Sequence, residues 1–152
     1  MENISRFKPA SALWGVLITL LMAALVWSWK KMEPDTTETA YDLATLAILD
    51  RANAFKQSWL VHKRPQTLSL DDQDYQFSDH GWLLPLYANQ VNCHYWLTTL
   101  YPAGEIFGSK PENSYSIHMD DGYMCRYNYP EKSVVIQLSN NQFTVKLEDS
   151  AL

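Results

Sequence analysis

Cys93 and Cys125 are the residues of this 152-residue chain best suited to covalent chemistry, and no Cys-x-x-Cys, Cys/His cluster or third thiol accompanies them. One disulfide is the simplest reading; it would close a loop of about 32 residues and contribute roughly 3 to 4 kcal/mol by the chain-entropy account. Two buried thiols are the alternative. The four histidines, His62, His80, His94 and His118, are isolated, with no pair at helical i, i+3 or i, i+4 spacing. Zinc needs three or four convergent ligands, so the histidines read as satisfied or solvated side chains and no metal is expected.

The acidic run Asp71-Asp72-Gln73-Asp74 invites a calcium loop. Starting that loop at Asp72 puts Phe77 where glycine must stand and Leu83 where the bidentate glutamate belongs, so the run reads as a solvated turn. No phosphate-binding glycine loop, Gly-x-Ser-x-Gly elbow or zinc-protease helix occurs. A noncatalytic protein without a cofactor is the expectation. Tyr123, Tyr127 and Tyr129 alternate around Cys125 and share its face of a strand, as core or as a tyrosine-rich binding face. Trp82, Trp96 and Tyr127 are candidates to line a ligand pocket if the domain is a sensor.

The elements that must position these residues begin with an apolar stretch. Pro9 to Trp29 contains no charged side chain, Arg6 and Lys8 precede it, and Lys30 and Lys31 follow it. That is long enough to cross a bilayer, and Trp27 and Trp29 suit the interface, where an indole keeps its N–H wet. The run exceeds the apolar core of a secretory signal and lacks small residues at a cleavage point, so an uncleaved anchor is expected. The short tail ahead of it and the cysteine pair favour an N-terminus in the cytoplasm and a domain in an oxidising space outside.

Apolar residues make up 47% of the chain and aromatics 13%, enough for the roughly 120 residues beyond the anchor to bury one core. The chain carries 17 acids and 12 Lys+Arg; setting aside Glu2, Arg6, Lys8, Lys30 and Lys31 leaves 16 and 8, net −8 for the domain. Such acidity argues against nucleic acid, whose binding rests on neutralising phosphates.

Asp35 and Glu38 form a capping-box-like pair after Pro34, which signals either a kinked continuation of the apolar helix or a break and restart. From there to about Lys63, Tyr41, Ala44, Ile48, Ala52, Phe55 and Trp59 recur at spacings of three and four, the pattern of an amphipathic helix. The stripe reads as core; Tyr41, Ile48, Phe55 and Trp59 are also the candidate partner-contact residues. Residues 66–88 change period and suggest two or three short strands, Gly81 to Leu86 among them. Asn92 to Tyr101 reads as a short second helix with Cys93, Trp96, Leu97 and Leu100 on one face, and Ala103 to Asn113 as an irregular loop. Asp120-Asp121-Gly122 and Ser139-Asn140-Asn141 each punctuate two alternating runs, the mark of consecutive hairpins.

The fold class is therefore α+β: an N-terminal transmembrane helix, then a long amphipathic helix packed on a small antiparallel sheet with a short second helix. The expected divisions are a cytoplasmic tail at 1–8, an anchor at 9–31 and a periplasmic domain at 32–152, its helix at about 35–64 and its sheet region at about 66–148.

This order of elements resembles the type IV pilin layout. The motifs Lys56-Gln57-Ser58-Trp59-Leu60, Gly81-Trp82-Leu83-Leu84-Pro85, Cys93-His94-Tyr95-Trp96-Leu97 with Leu100-Tyr101-Pro102, Gly108-Ser109-Lys110-Pro111 and Cys125-Arg126-Tyr127-Asn128-Tyr129 resemble the MshF family of MSHA (mannose-sensitive haemagglutinin) pilus biogenesis proteins, over about residues 50–147. The resemblance implies a single-pass protein of the bacterial inner membrane whose partners are other MSHA pilus assembly proteins or pilins. A prepilin has a leader ending in glycine before a Phe-type residue, with glutamate five positions on. Here Gly15 precedes Val16, and no glutamate stands between Glu2 and Glu33. An uncut assembly protein is expected rather than an ordinary pilus subunit.

Overall fold

The computed structural model describes the backbone of residues 9–149 and the side chains of residues 13–29, 38–117 and 119–149. The tail expected at 1–8 lies outside the described residues. The chain divides into two compact units, one ending at Glu38 and one beginning at Thr39. The boundary falls inside the first helix, α1, Pro9–Val61. The open choice at Pro34 resolves as a continuation: helix is assigned on both sides of the proline and through it, without a restart at Asp35.

In the first unit the side chains of α1 from Leu13 through Trp29 are all exposed, and none of them carries a charge. Leu17 is the least exposed of its large apolar residues at 51% and Trp27 the most at 82%. Among the described residues no helix is long and apolar enough to cross a membrane. The described apolar run has 17 residues, short of the about 20 a span requires. The anchor expected at 9–31 extends beyond that run on both sides, and the side chains at 9–12 and 30–31 lie outside the described residues.

In the second unit α1 presents the expected stripe to the core: Tyr41, Ala44, Ile48, Ala52, Phe55 and Trp59 are all buried. The helix stops at Val61, before the expected 64, because Lys63 and Arg64 take left-handed φ of 67° and 61°. The Arg64 N–H then donates back to the Trp59 carbonyl at 2.9 Å, a Schellman-type closure.

Between helix and main sheet lie two small antiparallel hairpins. β1, Thr67–Leu70, pairs with β2, Gln73–Gln76, around Asp71 and Asp72. β3, Leu86–Tyr87, pairs with β4, Gln90–Val91, around Ala88 and Asn89. All four turn residues have positive φ, the primed-turn geometry whose twist suits two-residue hairpins. The apolar run Gly81 to Leu86 is not the strand expected. It is irregular apart from a bridge of Leu83 to Phe77 and the start of β3, because Gly81 turns left-handed and Pro85 lacks a ladder donor.

Helix α2, Cys93–Leu100, begins at Asn92, whose side chain accepts from the Tyr95 N–H at 2.8 Å. The main sheet is a four-stranded antiparallel meander of β5 Asn113–Met119, β6 Gly122–Asn128, β7 Lys132–Ser139 and β8 Gln142–Asp149 in sequence order. Register places Tyr127, Val134 and Leu147 in one cross-strand row, Cys125, Ile136 and Val145 in the next, and Tyr123, Leu138 and Phe143 in a third. This face joins the α1 stripe and α2 in one core. The coarse fold is α+β, two helices with small antiparallel sheets.

Candidate functional site

Alternation along β6 aims Cys125 into the core, and the Asn92 cap sets Cys93 in the first turn of α2. The sulfurs are bonded, Sγ to Sγ 1.99 Å with Cα atoms 5.6 Å apart, and both residues are buried. Of the two readings of the cysteines, the disulfide is the one found. Two residues along the same face of β6, the Tyr127 hydroxyl donates to the Cys93 carbonyl at 2.7 Å. Burial first, and the neighbouring Tyr129 second, push the Tyr127 phenol well above its ordinary value. Tyr129 is raised too, by burial and then by Tyr101 and Tyr41, and its hydroxyl reaches the Gly104 carbonyl at 3.3 Å. Both phenols brace the core.

The aromatic side chains that could have lined a pocket are used internally as well. The Trp96 indole N–H donates to the Leu83 carbonyl at 3.1 Å, and its ring meets Phe143 edge-on. Trp82 stacks on the other side of that core, 5.4 Å from Phe143 between centroids, and donates to the Asn141 carbonyl at 2.9 Å. Lys56 Nζ covers the Trp82 ring at 3.9 Å from its centroid. Trp82, Trp96 and Tyr127 therefore hold α1, α2 and the sheet together, and they line none of the described cavities. The tyrosines on and just after β6 belong to the core: Tyr127 and Tyr129 are buried and Tyr123 is half-buried.

The four candidate partner-contact residues are in the same position. Tyr41 packs edge-on against Tyr129 at 5.9 Å, Phe55 lies 5.0 Å from Tyr75 and 6.4 Å from Phe77, and Ile48 is fully buried. Trp59 donates to the Pro65 carbonyl at 2.8 Å while Gly81 lies against its ring. These side chains meet this domain's own core, because a helix that must cover a sheet spends its strongest apolar stripe there. The large apolar residues left facing outward on this part of α1 are others: Leu43 and Leu46, 60% and 56% exposed, and Leu60 and Val61 at its end. A single-period reading overlooks them because they lie off the dominant stripe.

The histidines stay separate. The His62 ring Nδ1 is paired with the Ser58 carbonyl at 2.8 Å, and His80 and His94 are exposed; the His118 side chain lies outside the described residues. Among the described residues no three His, Cys, Asp or Glu side chains converge where a metal ion could sit. Asp71, Asp72 and Asp74 are exposed around the β1–β2 turn, with Asp74 accepting from the Ser69 hydroxyl.

Open grooves run along β5. One of about 450 Å³ is bordered by Val91, Ile117, Met119, Tyr123 and Met124, and one of about 420 Å³ by Val91, Asn92, His94, Ser114 and Ser116. The chain matches no protein-family model, no curated protein and no solved structure.

Proposed function

We propose that this chain is a noncatalytic, membrane-tethered component of MSHA-type pilus biogenesis that acts through protein–protein contacts, with α1 held in the inner membrane and the disulfide-bonded domain in the periplasm. The observation that carries the reading is the uncharged run Leu13 to Trp29, exposed on every side of its helix. A helix apolar all round needs apolar surroundings, and a bilayer supplies them. The disulfide fits an oxidising compartment. The ordered motifs from Lys56 to Tyr129 support the pilus assignment. Its test is a deletion strain, which should lose surface pili while pilin expression is unchanged; normal piliation in that strain overturns the reading.

A minor pilin carried into the fibre is the second reading, favoured by the helix running without a break from Pro9 to Val61. Mass spectrometry of sheared pili separates the two, since only a minor pilin appears there.

A further inference from the structure

The two outer strands of the main sheet are unlike. β8 carries Lys146, Glu148 and Asp149, the kind of charged edge that resists pairing with another chain. β5 has no Asp, Glu, Lys or Arg, no proline and no bulge in its seven positions, His118 being its one ionisable residue besides Tyr115, and among the described residues it pairs with β6 on one side only. Tyr115 is 45% exposed on it, Ile117 and Met119 are half-buried, and open grooves run beside it. In a domain carrying net −8, this edge lacks the lysines, prolines and bulges that keep an edge solitary, and the start of α2 borders it across an open groove.

We infer that β5 pairs antiparallel with β5 of a second copy of this chain, about a twofold axis at Ile117, joining two four-stranded sheets into one of eight. Self-complementarity selects this occupant. With Ile117 opposite Ile117, Tyr115 stands opposite Met119 in both halves, giving a palindromic apolar row with a sulfur–aromatic pair on each side of the axis. Asp120 then faces Ser114 and Asp121 faces Asn113, so no like charges oppose one another. A shift of the axis to Ser116 would set Asp120 against Glu112 twice, a repulsion the Ile117 register avoids, and a shift to His118 would set Tyr115 against Asp121 and break the apolar row. A basic peptide strand would find no acid within β5 to recognise. The edge is short, so the pairing is weak and concentration-dependent.

The test uses the full chain with single cysteine substitutions, mild oxidation and nonreducing electrophoresis, with peptide mapping to verify that Cys93–Cys125 stays paired. Ile117→Cys should form a crosslinked dimer on the order of tenfold more than Tyr115→Cys, because bonded cysteines need Cα atoms within about 7 Å and positions 115 of the two copies lie roughly 14 Å apart. Tyr115→Cys mixed with Met119→Cys should crosslink as a heterodimer although neither does so alone. Equal crosslinking at 115 and 117 would mean association through another surface and overturns the register. Monomer throughout, the result if a different protein's strand occupies the edge, overturns self-pairing.

Discussion

Tyr127 donates to the main-chain carbonyl of Cys93 across 34 positions of sequence, so the residue that is bonded through sulfur to β6 is also held there through its backbone. The two ties sit on one face of one strand. They tie the first turn of α2 to β6 twice.

Replacing both cysteines, Cys93→Ser with Cys125→Ser, should lower unfolding free energy by about 2 to 5 kcal/mol in urea titrations. Tyr127→Phe should cost about 0.5 to 1.5 kcal/mol, the net worth of one buried hydrogen bond, since the Cys93 carbonyl keeps its place in the first turn of α2. The combined variant should deviate from additivity, because both changes loosen one junction. Strict additivity would mean the two ties act independently.

Alkaline pH should weaken the domain. Burial raises the Tyr127 and Tyr129 phenols above the value of about 10 they have when unfolded. Below that pH both states are protonated and the stability is fully present. Above it the unfolded chain ionises first, binds fewer protons than the native state, and stability falls as pH rises. Urea midpoints should be level up to about pH 9 and decline beyond about pH 10, with a shallower decline in Tyr127→Phe. A midpoint that holds steady through about pH 11 contradicts this.

Gly81 takes a φ of 81°, and a Cβ there would lie 2.2 Å from the Trp59 ring. Gly81→Ala should therefore cost on the order of 2 to 4 kcal/mol from backbone strain and overpacking together. Trp59→Leu should lose stability alone but recover part of the Gly81→Ala penalty when combined with it. If Gly81→Ala unfolds at the wild-type midpoint, the close approach is wrong.

Core and surface on α1 should separate cleanly. Ile48→Ala is expected to cost about 2 to 5 kcal/mol, whereas Leu43→Ala should stay within about 0.5 kcal/mol. Circular dichroism melts read the difference. An Ile48→Ala protein of native stability that fails to support piliation would return the buried stripe to a partner-contact role.

Much of the domain is legible in the sequence, and the reasons are local. The α1 stripe is visible because six large or small apolar residues keep helical spacing over nineteen positions, and α2 because Cys93, Trp96, Leu97 and Leu100 share one helical face and Pro102 ends their run. The Asn140–Asn141 turn is visible because asparagine tolerates the left-handed φ of 49° and 63° it adopts. The β3–β4 hairpin is not legible, because Ala88 at a φ of 50° is a residue that rarely signals such a turn. Gly81 to Leu86 reads as a strand by apolarity alone, and only its tertiary packing against Trp59 and Trp96 shows why it is irregular. The aromatic candidates for binding are strong apolar signals, and such signals are answered first by a protein's own core.

The Cys93–Cys125 bond also determines how the domain would carry tension. A pull applied between α1 and the end of β8 would pass from Cys93 to Cys125 through sulfur, leaving residues 94–124 out of the load path. Roughly 100 to 110 Å of chain contour would stay hidden under force until the bond is reduced. With the bond intact, the domain has a shorter reach and a built-in limit to its stretching.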